Sequence, residues 1–284
     1  MPPPSSSLIT LREAAERLGV HYMTAYRYVR TGRLRATREG VQWMVDPGDL
    51  TKVPAPAPTG RAQGSARAAR PATLAARMVA GDEAGAWGIV EGALASGADP
   101  AGVYLDIVVP ALESVGDGWA AGTISVADEH RATTVAQRLI GRLGPRFARR
   151  GRKRGAVVLG APPGDLHSLP TAIVGDLLRG AGFEVLDMGA NAPAESFAET
   201  ARTTSRVVAV GIAATMSGRD AAVRSVVRAL RHAGVTAPVL VGGAAVTGDD
   251  HARRLGADGW SGPDGRSAVA AVERAVRGGP DDER

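Results

Sequence analysis

Residues 155–161 read GAVVLGA, an apolar run rich in valine that ends in small residues. Runs of the same kind follow at FEVLDMGA (183–190), RVVAVGIAA (206–214) and APVLVGGAAV (237–246). Each run leads into a stretch with helical periodicity. These stretches are 169–181, 193–204, 219–233 and 249–256. Because short β-rich runs that alternate with helices form βαβ units, the pattern predicts a parallel sheet with helices on both faces.

The C-terminal region is therefore expected to form a Rossmann-like (flavodoxin-like) α/β domain over residues 151–278. DGWSG (258–262) would add a fifth strand and 264–277 a last helix, and residues 279–284 are predicted to be a disordered tail. Ligands of such open sheets bind outside the carboxyl ends of the strands. The loops of greatest interest follow Ala161, Gly189, Ala213 and Val241.

A helical region lies upstream of the predicted sheet. Apolar residues recur there at three- and four-residue steps, and Asp99-Pro100 and Gly122-Thr123 interrupt the pattern. We expect a cap domain of four helices over residues 71–150, arranged as a bundle.

Two stretches without periodicity separate these regions. Residues 54–70 are rich in Pro, Ala, Gly and Arg, which predicts a flexible linker. The basic run ARRGRKR (148–154) is predicted to be a solvated junction between the cap and the sheet domain.

The N-terminal region, residues 1–53, has the pattern of a helix-turn-helix. Thr10 and Glu13 have the spacing of a capping box at the start of the helix LREAAERL. That helix is expected to end at Gly19, and a second helix, YMTAYRYVR (22–30), follows after only two residues. This arrangement sends its second helix into the major groove of DNA.

The segments after the second helix complete a small all-α winged module. TREG (37–40) and VQWMV (41–45) predict a hairpin wing, and DPGDL (46–50) begins a last short helix. The whole segment resembles the helix-turn-helix of the MerR and excisionase families, whose core pattern is matched by ITLREAAERLGV and TAYRYVRTGRL.

We expect this module to bind a double-stranded DNA operator. Ala25, Tyr26 and Val29 should face its core. Arginine side chains contact guanine edges or phosphates, and Tyr and Thr hydroxyls contact phosphates. The predicted DNA-contacting residues are Tyr22, Thr24, Arg27, Tyr28, Arg30, Arg33, Arg35 and Arg38. One module of this size makes few contacts, so we expect a homo-oligomer, a dimer or tetramer, on DNA.

Composition and charge agree with this division. The net charge of +5 is concentrated in residues 1–70, which hold 11 Lys and Arg against 5 Asp and Glu, and the remaining chain is close to neutral. The chain has no cysteine, which excludes disulfides, thiolate zinc sites, iron–sulfur ligation and a cysteine nucleophile. No apolar run is long enough to cross a membrane and the start lacks a signal-peptide pattern, so a cytoplasmic protein is expected.

The loop after the first strand carries an aspartate and a histidine, Asp165 and His167. A neutral imidazole at this edge of the sheet could bind a ligand, with the carboxylate accepting its other ring N–H. The alternative is a helix N-cap beside a surface histidine. Met216-Ser217 follows the third strand and Gly242-Gly243 closes the fourth.

Together with the upstream helical domain, these elements resemble the cobalamin-binding domain. The resemblance implies that His167 is the lower axial ligand of the cobalt, replacing dimethylbenzimidazole, with Asp165 behind it. It implies that Ser217 hydrogen-bonds the displaced nucleotide tail and that Gly242 and Gly243 let this tail approach the backbone. The sequence departs from the motif at Pro170, where the family has glycine.

The cap region carries a second pattern, Trp119 followed ten residues later by Glu129-His130. Ser125 is expected to cap the helix that contains Glu129. The helix dipole alone would favour an acidic residue there, by about 0.3–1 kcal/mol, and Trp119 could equally belong to the core. The Trp-x9-Glu-His pattern nevertheless resembles the upper-axial signature of the CarH and LitR light-responsive repressors, which are MerR-type proteins that bind adenosylcobalamin.

The CarH/LitR resemblance extends over nearly the whole chain and implies a non-enzymatic transcription regulator with adenosylcobalamin as cofactor. Trp119 and Val126 would cover the adenosyl group, Glu129 would accept its ribose hydroxyls, and His130 would support that wall. Light would remove the adenosyl group and change the oligomeric state. However, Ala120 stands where the light-responsive prototypes have a histidine that captures cobalt.

Two alternatives remain open from the sequence. The first is a regulator that senses a corrinoid, or a different ligand, without light. The second is a corrinoid methyl carrier, which shares the cap and the sheet domain but has no use for a helix-turn-helix.

Overall fold

The computed structural model describes residues 8–18, 22–30, 34–40, 42–52 and 63–277. The backbone alone is described at residues 23, 24, 27, 30, 52 and 63–69. The chain forms two compact units, Met1–Ala136 and Gln137–Arg284. The predicted tail, residues 279–284, lies outside the described residues.

The N-terminal part of the first unit contains two helices and a small antiparallel sheet. Helix α1 begins with the predicted capping box, since Thr10 Oγ1 accepts from the Glu13 amide and the Glu13 carboxylate accepts from the Thr10 amide. Strand β3 lies between β1 and β2 and pairs antiparallel with both. The elements are β1 (Ile9–Thr10), α1 (Leu11–Arg17), α2 (Tyr22–Arg30), β2 (Thr37–Glu39), β3 (Gln42–Val45) and a 3-10 helix (Pro47–Lys52).

Four helical segments follow, as the sequence predicts, and the third changes its hydrogen-bonding pattern through a π-helical turn. The segments are α3 (Gln63–Val79), α4 (Glu83–Ala95), α5 (Pro100–Val103) continuing through the π-turn Tyr104–Val108 into α6 (Val109–Ala120), and α7 (Val126–Leu143). The linker prediction for 54–70 is wrong at its end, because residues 63–70 belong to α3. Alanine and arginine are strong helix formers, which explains a helix in a stretch without apolar periodicity.

The second unit contains a five-stranded parallel sheet whose strands and helices alternate as predicted. After a 3-10 turn (Gly144–Phe147), its elements are β4 (Ala156–Gly160), α8 (Leu169–Gly180), β5 (Glu184–Asp187), α9 (Ala194–Thr203), β6 (Val207–Ala213), α10 (Asp220–His232), β7 (Val239–Gly242), α11 (Asp249–Arg254), β8 (Gly259–Trp260) and α12 (Gly265–Arg277).

The order of the strands locates the ligand-binding edge of this sheet. The order is β5-β4-β6-β7-β8, which is the flavodoxin-like doubly wound arrangement. From β4 the chain adds β5 on one side of the sheet and β6, β7 and β8 on the other, so β4 and β6 flank a switch point. Such a switch point leaves a crevice at the carboxyl ends of the two strands. The loops after β4 and β6 therefore meet where this class of fold binds its ligands.

Apolar residues pack on both faces of the sheet. One cluster joins Val158 and Val210 to Phe197 of α9 and Leu230 of α10, and the other joins Leu159 to α8 and α12. Among the described residues, no helix is long and apolar enough to cross a membrane.

Candidate functional site

The side chain of Asp165 organises the crevice at the switch point. Its Oδ2 accepts hydrogen bonds from the backbone amides of Thr215 (2.6 Å) and Met216 (3.1 Å), in the loop after β6. Its Oδ1 accepts from the His167 amide (3.2 Å) and contacts His167 Nδ1 (2.7 Å). One carboxylate thus connects the loops after the two strands that flank the switch point.

This carboxylate is ionised at neutral pH. Complete burial (0% exposed) raises the pKa of Asp165, but the hydrogen bonds from the His167 side chain and from the Met216, Thr215 and His167 amides outweigh it and lower the pKa to about 2. The buried charge is stable because four donors surround it.

His167 is oriented by that carboxylate. With Nδ1–H donating to Asp165, the imidazole is held in the tautomer that carries its lone pair on Nε2. The imidazole is 50% exposed, whereas its carboxylate partner is buried. An oriented and accessible imidazole is a suitable ligand for a transition metal.

The loop after β5 supports the same segment, which the sequence did not predict. Asn191 Oδ1 accepts from the Gly164 amide (2.7 Å), and the Asn191 amide donates to the Asp165 carbonyl (2.8 Å). Asn191 adopts a left-handed backbone with φ of 53°, which asparagine tolerates better than most residues. An asparagine in the loop between β5 and α9 is the one sequence feature that could have indicated this turn.

The loop after β6 contributes backbone donors and hydroxyl groups. Ser217 is exposed beside the two amides that hold Asp165. The Thr215 hydroxyl, which no sequence pattern indicated, is buried and has no hydrogen-bond partner among the described residues. A buried polar group without a partner is rare and favours a ligand that completes it. With the oriented imidazole, this orphan hydroxyl fits a corrinoid bound through its metal and its nucleotide tail.

Gly242 and Gly243 close β7 against its neighbours. Gly243 has φ of +96°, and a Cβ there would overlap the carbonyl oxygen of Ala214. A Cβ on Gly242 would overlap the hydroxyl of Ser261. Both glycines are therefore needed for the packing of the strand ends, and their contact with a nucleotide tail remains a prediction.

Pro170, at the departure from the cobalamin motif, lies in the first turn of α8. Proline is favourable there because the first amides of a helix have no partner within it. The helix therefore begins immediately after the His167 loop, and the motif's glycine is replaced by a helix start.

The turn between α6 and α7 positions the second group of predicted residues. The amides of Thr123 and Ile124 both donate to the Gly118 carbonyl, as does the Thr123 hydroxyl. Ser125 then caps α7 as predicted, because its Oγ accepts from the Asp128 amide and Asp128 accepts from Ser125 in return.

Two apolar side chains are exposed on either side of this turn. Trp119 is 53% exposed and Val126 is 59% exposed, so Trp119 is not a core residue. Glu129 lies in the first turn of α7 as predicted, and its Oε1 accepts from the Thr133 hydroxyl (2.7 Å). His130 is exposed. The turn thus presents apolar surface next to a carboxylate.

In the helix-turn-helix, the predicted orientation of α2 is correct except at Tyr28. Ala25 is buried, and Tyr26 and Val29 pack against the same core. Tyr28, predicted to contact DNA, is instead a core residue, because it lies three residues after Ala25 and packs in the cluster that contains Leu34.

The structure describes only some of the other residues that were predicted to contact DNA. Arg35 and Arg38 are exposed, and Tyr22 is partly buried and stacks on Tyr26 with 6.4 Å between ring centroids. The side chains of Thr24, Arg27 and Arg30, and all of Arg33, lie outside the described residues.

Asp117, two residues before Trp119, gives the first unit a pH-dependent stability. Burial raises its pKa from 3.8 to about 6, and its Oδ2 has no hydrogen-bond partner among the described residues. Burial raises the pKa of the Tyr22 hydroxyl, and the negative charge of Asp117 raises it further. The stabilising contribution of protonated Asp117 is complete below about pH 4 and is lost as the pH rises through about 6.

We therefore expect Asp117→Asn to raise the thermal unfolding midpoint at pH 7.5, by a few °C as an order of magnitude, and to differ less from the wild type at pH 4. Thermal unfolding of both proteins between these pH values measures the difference. Glu91→Gln, an exposed acidic position on α4, is the matched control. Equal midpoints for wild type and Asp117→Asn at every pH would contradict the buried-carboxylate argument.

Family models match three parts of the chain. A model described as the B12 binding domain matches residues 155–273, and a second model with that description matches residues 72–143. A model of the helix-turn-helix domain matches residues 8–52. These spans correspond to the sheet domain, the helical cap and the N-terminal module.

Several corrinoid proteins are similar to about two thirds of the chain. Trimethylamine corrinoid protein 2 of Methanosarcina mazei is 31% identical over 203 residues, which are 70% of this chain and 92% of that protein. Dimethylamine corrinoid protein of Methanosarcina barkeri is 31% identical over 192 residues, 66% of this chain and 80% of that protein. The solved monomethylamine corrinoid protein of Methanosarcina barkeri shares the fold, with a TM-score of 0.63, 21% identity, and coverage of 71% of this chain and 96% of that one.

Proposed function

The chain belongs to the corrinoid-protein family of B12-binding proteins, and on this premise we propose that it is a transcription regulator whose DNA binding is controlled by its corrinoid cofactor. One observation carries the proposal. A helix-turn-helix domain at residues 8–52 is joined in one chain to both B12 binding domains. A corrinoid protein that acts only as a carrier has no use for a DNA-binding module.

In this proposal His167 would bind the cobalt of the cofactor. The ionised Asp165 accepts a hydrogen bond from His167 Nδ1–H and fixes the orientation of the ring, which leaves Nε2 for the cobalt. Thr215 and Ser217 provide hydroxyls for the nucleotide tail, one buried and one exposed. The chain therefore holds the cofactor through a metal bond and polar contacts from two adjacent loops.

We propose that adenosylcobalamin is the regulatory form. When bound, it supplies a cobalt–carbon bond that visible light cleaves. The exposed Trp119 and Val126 would cover the adenosyl group, Glu129 would accept hydrogen bonds from its ribose hydroxyls, and His130 would support this wall. Ala120 has no donor atom, so the cap does not offer cobalt a second imidazole at that position.

DNA affinity depends on the number of modules that act together. A single winged helix-turn-helix of this size makes few contacts, and joining two or four in a homo-oligomer raises the effective concentration of each. Contacts from Trp119 and Glu129 in the loaded state favour this oligomer. Shifting it from 1:99 to 99:1 requires about 5.5 kcal/mol of differential binding, a magnitude typical of a buried ligand.

Size-exclusion chromatography of the adenosylcobalamin-loaded protein, in the dark and after green light, tests the light response. We expect a larger species in the dark and a smaller one after illumination, with the absorption spectrum reporting loss of the adenosyl group. An elution volume unchanged by complete photolysis would exclude light as the signal. A change that requires only the addition of hydroxocobalamin would make the protein a light-independent corrinoid sensor, which Ala120 favours.

A corrinoid methyl carrier is the second candidate function. The relatives named trimethylamine and dimethylamine corrinoid proteins favour it, at 31% identity over most of their length. A methyl carrier would give up the methyl group of methylcobalamin to a methyltransferase partner and would be indifferent to DNA. Methyl transfer that is unaffected by deletion of residues 1–52, together with absence of DNA binding, would decide for this function.

A further inference from the structure

Arg219 lies beside the candidate site and is not explained by the roles given above. It directly precedes α10, in the loop that follows β6 and contains Thr215 and Ser217. Its guanidinium packs against Gly164, since a Cβ on that glycine would lie 2.8 Å from Nη1, 3.0 Å from Cζ and 3.4 Å from Nε. Gly164 in turn directly precedes Asp165. The cation is therefore placed on the His167 loop.

The charge of Arg219 is not neutralised within the protein. Other arginines of this unit form ion pairs, as Arg154 does with Glu273 and Arg179 with Asp176. The guanidinium of Arg219 has neither an ion pair nor a hydrogen bond within the part of the chain that the structure describes, although the residue is partly buried. A partly buried guanidinium without an acceptor is a candidate binding group for an anion.

The proposed cofactor carries one suitable anion. Cobalamin has a phosphodiester that joins the corrin ring to its lower nucleotide, and this nucleotide is displaced when a protein imidazole binds the cobalt. Arginine forms paired hydrogen bonds with phosphate oxygens, and Ser217 lies two residues away with an exposed hydroxyl. The phosphodiester is the group on this ligand that needs a cation.

We propose that Arg219 binds the phosphodiester of the nucleotide tail and so selects complete cobalamin over corrinoids that lack the nucleotide. This inference rests on the corrinoid-binding part of the proposed function. Arg219 contributes to affinity without touching cobalt, and its effect is confined to ligands that have the tail.

The test compares cobalamin with cobinamide, which has the same ring and metal but no nucleotide. Binding of each to the full chain is measured by spectrophotometric titration, without any activity assay. Charge-assisted hydrogen bonds contribute about 1.5–3 kcal/mol, so we expect Arg219→Gln to weaken cobalamin binding by roughly 10-fold or more. Cobinamide binding should change less than about twofold, and Arg219→Lys should show an intermediate loss of cobalamin affinity because it keeps the charge but not the paired geometry.

Arg224→Gln is the matched control, since Arg224 is exposed on α10, the helix that Arg219 precedes, and its replacement should leave both affinities unchanged. Equal losses for cobalamin and cobinamide, or no loss for either, would overturn the role of Arg219 while leaving corrinoid binding intact. Weaker DNA binding by apo Arg219→Gln, with unchanged corrinoid selectivity, would assign the cation to a DNA phosphate instead. Failure of the wild type to bind either corrinoid would overturn this inference together with its premise.

Discussion

His167→Ala is expected to lose cobalamin affinity by at least about 100-fold, since even the partner of a metal-bound histidine contributes 10–100-fold. The variant lacks the nitrogen that Asp165 orients and leaves the buried carboxylate with one hydrogen bond fewer. Cobalamin titration followed by absorbance gives the affinity. Asp165→Asn should show a smaller loss, because Nε2 remains but its orientation and basicity change.

The identity of the ligand is measured separately by electron paramagnetic resonance of bound cob(II)alamin. With ¹⁵N-labelled protein and unlabelled cofactor, ligation by a protein imidazole splits the cobalt lines into doublets, whereas the cofactor's own ¹⁴N base gives triplets. We expect doublets from the wild type and from His232→Ala, a control at the exposed end of α10. Triplets from the wild type, or doublets from His167→Ala, would place the lower ligand elsewhere.

Gly243→Ala is expected to destabilise the second unit by on the order of 3 kcal/mol or more. Two effects add at this position. The backbone has φ of +96°, which is unfavourable for alanine, and the new Cβ would overlap the Ala214 carbonyl, which cannot move without disturbing the end of β6. The same disturbance reaches the Thr215 amide that donates to Asp165.

Gly234→Ala separates the two effects. Gly234 also has a positive φ, of +74°, but no atom lies within 4 Å of a Cβ placed there. It should therefore show the backbone cost alone, about 1–2 kcal/mol. Thermal unfolding followed by circular dichroism compares the two variants. If Gly243→Ala were no less stable than Gly234→Ala, the close approach between the loops after β6 and β7 would be refuted.

The architecture of the second unit was predictable because its local signals agree with one another. Each apolar run is bounded by small residues or glycine, and each following stretch has helical periodicity. Every observed strand lies within its predicted run, although β5 and β7 end three and four residues before their runs do, and the helices agree to within two residues. Strand order could not be derived from these patterns. It depends on which edges pair, and the switch point between β4 and β6 appears only in the sheet.

The first unit shows where local signals are insufficient. The start of α3 at Gln63 was missed because the stretch has helix-forming residues but no apolar stripe. The π-turn at Tyr104–Val108, which directly precedes Val109-Pro110, was not predicted either. The hydroxyl of Tyr28 predicts a contact with DNA, whereas its ring packs in the core around Ala25.

In the candidate site, the sequence indicated the Asp165–His167 pair but not the groups that hold this pair in place. Asp165 and His167 are close in sequence and their contact was predicted. The hydrogen-bond donors from Thr215 and Met216 are backbone amides about 50 residues away. Because nearly every residue has a backbone amide, no residue type in the sequence indicates which amides will donate. The position of Arg219 against Gly164 could not be predicted either, because it depends on how the loops after β4 and β6 meet at the switch point.

The central claim is that the state of the corrinoid sets the affinity for DNA, and fluorescence anisotropy tests it most directly. The probe is a labelled duplex enriched from a random-sequence library by the adenosylcobalamin-loaded protein in the dark. We predict at least tenfold tighter binding by the loaded protein than by apo-protein, and loss of this difference in His167→Ala. Equal affinity of loaded and apo-protein for the enriched duplex, or failure to enrich any duplex, would contradict the account.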